Sequence, residues 1–467
     1  MFNSVEIAKK DLGFQICDLR KVAQQRTQSS IQNLKSAVQK GNLMTQTKNL
    51  EPLVIDGGRK TFHKDLTIPD PIPSQAFGRV EEIMKSAKLF RYGGKTAEES
   101  ETALLEKEFA AYLGVKYALG VTSCSSAIFI GLMAAGIEKG DKVLMPAFTF
   151  TAVPSSIVHA GAEPLLVECD DNYVVNIADL EQKIADNPDA KYFLLSHMRG
   201  HLAEMGKIVE LCEANDIVLM EDAAHALGNT WNGQQAGTFG QMSAFSFQST
   251  KMINAGEGGM LTTNDPHIMA KAIILAGAYE KQWAKQFFDR PDLLEKYQGF
   301  YPAYNMRMNE VTAAIARPQI PNIDIKGNKF RDNYFTIANI LNSSEHIDVP
   351  DRVENELPVP NSIQFNLRGL TGEKIRSFVE TAAEEGIKIA VFGMQEDNAR
   401  CFWNWRYLDT SDDELPMTET MLRTACDLRL PVFLDKEDVS TMGNLIVRAI
   451  ERVKNLQDKR AVMTAAD

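Results

Sequence analysis

Cysteine is sparse. The six in 467 residues, at 17, 124, 169, 212, 401 and 426, form no C-x-x-C pair and no cluster with the seven histidines. That spacing speaks against zinc and a disulfide framework, and for free thiols in a reducing compartment. Neither a charged-then-apolar leader nor an apolar run of about 18 residues is present, so the expectation is a cytoplasmic chain that does not enter a membrane. Basic residues fall short as well: 50 Lys+Arg against 62 Asp+Glu leave a net charge of −12, which argues against nucleic-acid binding through a basic surface. Low-complexity tracts are missing, and no G-x-G-x-x-G follows the first strand, which disfavours a dinucleotide-binding domain.

What is present suits a soluble protein of two domains: 44% hydrophobic and 24% charged residues, with mean hydropathy −0.21. Apolar residues at helical intervals (Leu12, Ile16, Leu19, Val22, then Ile31, Leu34, Val38) predict helices in a polar leading segment, and Asp56-Gly-Gly58 and Ile68-Pro-Asp-Pro-Ile-Pro73 predict an irregular linker. We read 1–74 as a helical arm and linker, serving either subunit contacts or packing on its own domain. From 75 to 325, apolar runs at 142–145, 164–168, 192–196, 217–220 and 244–247 alternate with helical stretches. This predicts a large α/β domain with a mostly parallel sheet covered on both faces. Residues 326–467 read as a smaller α+β domain and tail, with helices over 371–385 and 436–453 and a strand over 388–392.

Two residues carry the chemistry. Asp222 ends the run Leu219-Met-Glu-Asp222, and Lys251 follows Phe245-Ser-Phe-Gln-Ser-Thr250 after the next apolar run. In a parallel sheet ligands bind beyond the carboxyl ends of the strands, where both fall. An amine and a carboxylate so placed are what pyridoxal 5′-phosphate requires: the lysine holds its aldehyde as a Schiff base, and the acid keeps the pyridine nitrogen protonated.

The cofactor phosphate needs donors at a helix start, and Thr122-Ser-Cys-Ser-Ser-Ala127 supplies hydroxyl and N–H groups there. Ser125, with the Cys124 and Ser125 amides, is the first candidate; the bland reading is an ordinary N-cap. Ser246 is a second hydroxyl. Phe150 would stack on the ring, with Phe148 as its rival because alternation turns only one toward the site. His225 would bond either the cofactor's phenolic oxygen or Asp222, or is structural.

Glu221-Asp-Ala-Ala-His-Ala-Leu-Gly228, Phe245-Ser-Phe followed by Lys251, Gly256-Glu-Gly-Gly259 and Tyr304-Asn-Met-Arg-Met-Asn-Glu-Val-Thr-Ala-Ala314, found in that order, resemble the DegT/DnrJ/EryC1/StrS family of sugar aminotransferases over roughly 75–450. The resemblance implies a fold-type I architecture with a seven-stranded sheet, and pyridoxal phosphate cycling through its pyridoxamine form. It also implies L-glutamate and a carbonyl sugar as substrates, and a homodimer with shared active sites. Asn305 or Arg307 would then reach the neighbouring subunit's cofactor. Lys251 would carry the proton between the donor's Cα and the cofactor. Family members with histidine at the lysine position are dehydratases, a branch that Lys251 disfavours; a sensor that keeps the fold would need a DNA-binding unit. Cys124 stands where the family has glycine.

For the acceptor, Arg199 in Ser196-His-Met-Arg-Gly-His201 offers a cation for an acidic sugar or the donor carboxylate, or is a plain loop arginine. Arg406 in Trp403-Asn-Trp-Arg406 is a second candidate. The Met-Arg-Gly segment and Asn305-Met-Arg307 resemble the subgroup that aminates C8 of an oxidised 3-deoxy-octulosonate for lipopolysaccharide; a nucleotide-linked keto sugar is the other acceptor class.

Overall fold

A computed structural model describes residues 51–410 and 414–464, with side chains through 454. The expected helices of 12–38 lie outside the described residues. By compactness the chain divides into Met1–Pro52 with Asp56–Arg59, and Leu53–Ile55 with Lys60–Asp467. All that follows concerns the second unit.

Seven strands form the large sheet: β1 (Tyr117–Val121), β2 (Lys142–Pro146), β3 (Glu163–Val167), β4 (Tyr192–Ser196), β5 (Val218–Asp222), β6 (Met242–Ser246) and β7 (Gly259–Thr263). Their order is β1-β7-β6-β5-β4-β2-β3. Strands β6, β5, β4, β2 and β3 pair in parallel, while β7 runs antiparallel between β1 and β6. Every residue of β6 and β7 is buried, as expected for strands covered on both faces. Because β7 reverses twice, β1 points the same way as β6. The carboxyl ends of β1, β2, β4, β5 and β6 therefore share one edge, where a ligand crevice belongs.

Helices α1 (Glu101–Leu113), α2 (Cys124–Ala135) and α3 (Pro266–Ala276) cover this sheet. Ser123 caps α2, its side chain accepting from the Ser126 N–H, and Gly136 ends the helix in the left-handed region at φ 98°. The start of α2 is pressed against β7: a Cβ on Gly259 would lie 2.3 Å from the Ser123 carbonyl carbon. Only glycine permits that approach.

A second, antiparallel sheet of β8 (Ile347–Asp348), β9 (Ser362–Leu367), β10 (Ala390–Val391) and β11 (Ala425–Arg429) has the order β8-β9-β11-β10. It shares a core with α4 (Ile323–Leu341), α5 (Gly372–Glu384) and α6 (Lys436–Thr464). The strand expected over 388–392 shrinks to Ala390–Val391, followed by a turn of 3₁₀ helix at Phe392–Met394. Leu53, Phe62 and Leu66 are buried in this same core. Among the described residues no helix is long and apolar enough to cross a membrane, and no group of three acidic, histidine or cysteine residues is placed to hold a metal.

Candidate active site

Lys251 sits on a loop closed by β-type bonds at its base, Phe247 N–H to Gly258 O (2.9 Å) and Ala255 N–H to Phe247 O (2.9 Å). The Asn361 amide also grips the Thr250 carbonyl at 2.9 Å. This fixes the half-buried lysine beyond the end of β6, with Nζ 2.6 Å from Nε2 of His225. Burial and then Arg199 push the lysine down to about 7, against the partial restoring pull of Asp222. Half-buried His225, facing Lys251 and Arg199, is held well below the usual histidine range by desolvation and then by those cations. Its ring bonds the lysine; no bond joins it to Asp222, one of the two partners the sequence suggested.

Asp222 ends β5, and its Oδ2 accepts from Ser196 Oγ at 2.8 Å. Ser196 in turn accepts from Thr149 Oγ1 at 2.9 Å, so a relay of two hydroxyls orients the carboxylate. The other oxygen accepts from the Ala224 N–H at 3.1 Å and faces Cys124 Sγ at 3.7 Å. Burial, reinforced by that carboxylate, drives the Cys124 thiol well up, so it stays neutral. Sequence reasoning missed Thr149 and Ser196. The signal was there in principle, since parallel pairing sets Ser196 opposite Asp222.

Ser125 is exposed in the first turn of α2, where main-chain N–H groups have no helical acceptor. It lines a cavity of about 620 Å³ together with Phe129, Ser156 and Tyr304. Ser246, at the end of β6, is buried and accepts from the Gln248 N–H at 3.3 Å. Phe148 is in the core against Tyr173 and Phe392. Phe150 is the exposed partner of the alternation, at 42%, with the Arg400 guanidinium 5.6 Å from its ring centre. The Thr151 N–H bond to Ala399 O (2.9 Å) ties these two loops together.

The remaining candidates divide. Asn305 is exposed on a segment that adds to the edge of β1 through Thr122 N–H to Met306 O, 3.0 Å. Arg307 donates to Gly277 O at 2.7 Å within its own chain, between the rings of Phe90 and Tyr279. Arg199 adopts a left-handed conformation (φ 55°) and pairs with Asp427 of β11, close enough to Lys251 and His225 to lower both. Arg406 is exposed; Arg400, six residues earlier on the same loop, lies close enough to Lys251 to lower it. Burial and Arg199 bring Arg400 down to about 10.

A poised amine, a hydroxyl-oriented carboxylate, a stacking face and an open helix start, all at one edge of a mainly parallel sheet, define a site for an aldehyde-bearing pyridine phosphate. The residues present fit pyridoxal 5′-phosphate: Lys251 would take the aldehyde carbon, Asp222 the ring nitrogen, and Ser125 with the α2 amides the phosphate. Residues 73–447 match the DegT/DnrJ/EryC1/StrS aminotransferase family, and the chain belongs to it. It is 31% identical over 259 residues to the spore coat polysaccharide biosynthesis protein SpsC of Bacillus subtilis (strain 168), covering 55% of this chain and 64% of that protein. It is 34% identical over 220 residues to GDP-perosamine synthase of Caulobacter vibrioides, covering 47% and 56%. These matches span less than two thirds of either relative. A sugar aminotransferase of Streptococcus pneumoniae, described as putative and solved in its PMP form, shares the fold-type I architecture with TM-score 0.71 and 20% identity over 84% of this chain and 98% of that one. Pyridoxal phosphate is the cofactor of this family.

Proposed function

We propose that this protein is an aminotransferase that takes the amino group of L-glutamate and delivers it to a carbonyl sugar. The carrying observation is the placement of the Lys251 amine, 2.6 Å from Nε2 of His225, on the same crevice edge as Asp222. Bound pyridoxal phosphate supplies an electron sink and a parking place for nitrogen. Around it, Asp222 holds a proton on the ring nitrogen, and Ser196 and Thr149 keep that carboxylate oriented. Phe150 covers one ring face and excludes water. Lys251 Nζ, fixed at the crevice edge, would take the proton from the donor's α carbon and return it one position further on. Glutamate leaves as 2-oxoglutarate before the sugar enters, so the kinetics are ping-pong. Exposed Asn305, or Arg307, would reach a second copy's cofactor, which makes a homodimer part of the proposal.

The narrow acceptor is the C8 aldehyde of an oxidised 3-deoxy-octulosonate, a sugar acid of lipopolysaccharide; it is supported by Arg199, a cation at the edge of the site. Nucleotide-linked keto sugars are the second reading, favoured by the GDP-perosamine synthases among the relatives. The test is a panel of carbonyl sugars offered to the glutamate-treated protein, with products weighed by mass spectrometry. An amine on the octulosonate aldehyde supports the narrow reading; an amine formed solely on nucleotide-linked sugars replaces it, and none on any sugar refutes transamination of sugars.

A further inference from the structure

Residues 60–67 lie ahead of the part of the chain that matches the family, 73–447, yet they wall a cavity of about 580 Å³ whose other side is Arg199, Arg400, Asp427 and Arg429. That volume falls within the usual small-molecule range of about 300–1,000 Å³. The segment is seated firmly. Phe62 and Leu66 are buried in the core of the smaller sheet, and Asp70 accepts from Val432 N–H at 3.0 Å and pairs with Lys326 at 3.0 Å. It also lies close on Gly386, at φ 91°, where a Cβ would come within 2.9 Å of Phe62 O.

In a chain of net charge −12, this cavity is locally cationic: its lining sets Lys60, Lys64, Lys388 and three arginines against Asp65 and Asp427, with Asp438 3.7 Å from Lys64. Asp427 is committed to Arg199 and to the Gln364 amide at 2.7 Å, and Asp65 to Thr67. The arginines are not saturated. Nε of Arg199 and Nε of Arg400 are buried without a hydrogen-bond partner, and Arg429 spends Nη1 on Thr67 O, 3.3 Å away in the strap itself. Three guanidinium groups lining one cavity, two of them close enough to Lys251 to lower it, offer the planar fork that a carboxylate matches.

We propose that the 60–67 strap, with Arg400, Arg429 and Arg199, forms an anion subsite that holds the carboxylate of an acidic sugar acceptor. This rests on the aminotransferase reading above. The strap makes the selectivity a property of this chain's own leading segment, and Lys60 and Lys388 supply the outer rim that an extended sugar acid reaches.

The test is calorimetric binding of 3-deoxy-octulosonate, and of its neutral methyl ester, to the cofactor-loaded protein without glutamate. The acid is expected to bind at least about 10-fold more tightly than the ester, a preference that shrinks as salt is raised. Arg429→Gln, and separately Lys60→Met with Lys388→Met (both exposed), should collapse that preference while the spectral change caused by glutamate alone persists. Equal binding of acid and ester, or an unchanged preference in both variants, overturns the subsite. A matching loss in glutamate's own reaction also overturns the assignment, because the cations then serve the donor carboxylate. If wild-type protein keeps the acid preference but glutamate leaves the spectrum untouched, the subsite stands and the aminotransferase reading falls.

Discussion

Nζ of Lys251 lies 2.6 Å from Nε2 of His225, a contact between two bases that are both pushed toward neutrality. A lysine ammonium has no lone pair, so whenever Lys251 is charged His225 must accept at Nε2 and carry its own proton on Nδ1. The arrangement stores the lysine as a ready nucleophile, with its charge opposed by burial and by Arg199 and Arg400.

The rate at which the apoprotein captures pyridoxal phosphate should therefore rise through about pH 7 as Lys251 loses its proton. Arg199→Met removes a cation that lowers the lysine, so its midpoint should move to higher pH. Stopped-flow absorbance across pH 5.5–10 reads both, and coincident midpoints would discount the role of Arg199.

Stability should follow the same lysine. Its folded value of about 7 lies below its ordinary 10.5, so between the two the unfolded chain binds more protons and the apoprotein gains stability as pH rises. Below about 7 the full cost of burial is present. Lys251→Met apoprotein should have the higher Tm at pH 7, with the difference narrowing toward pH 10, in paired calorimetric scans.

Ser196→Ala leaves one oxygen of Asp222 without its hydroxyl donor. Hydrogen bonds to charged groups contribute about 1.5–3 kcal/mol, so cofactor affinity should weaken roughly 10-fold or more, measured by absorbance titration. A Kd equal to wild type would mean that the Thr149–Ser196 relay does not orient the carboxylate.

Glu221, beside Asp222, has the opposite job. It is fully buried and accepts from the N–H groups of Gly237, Phe239 and Gly240 and from His197 at 2.9 Å. Burial pushes this carboxyl up, but His197 and those N–H groups outweigh it and hold it below the usual range. Its contribution is thus present above the ordinary carboxylate value and lost as pH falls through the lowered one. Glu221→Ala should cost on the order of 3–5 kcal/mol in denaturant unfolding at pH 7, as for other broken buried pairs.

Strands β2 to β6 were legible because each is a short apolar run between helical stretches, and the start of α2 because serine precedes an apolar periodic segment. Strand β7 was not: Gly-Met-Leu-Thr-Thr closes a glycine-rich stretch that reads as loop, and only pairing with β1 and β6 makes it strand. Within the site, Lys251, Asp222 and the exposed Phe150 announce themselves by residue type and by position at strand ends. Arg400 and Arg429 do not, since an arginine far along the chain carries no local sign of which crevice it will face. Arg406 drew attention through its neighbouring tryptophans, while the turn at Asn398–Trp405 sets half-buried Arg400 over the Phe150 ring. Ser196 required knowing that β4 and β5 are neighbours.

The most direct measurement is the visible spectrum of cofactor-loaded protein before and after L-glutamate, with no sugar present, for wild type and Lys251→Ala. The account predicts that in wild type the absorption of lysine-linked cofactor gives way to that of the amine form, with 2-oxoglutarate released in equal amount. It also predicts that Lys251→Ala binds the cofactor without that linkage and fails to turn over. Turnover preserved in Lys251→Ala, or a wild-type spectrum unmoved by glutamate and by any other amino donor, would contradict it.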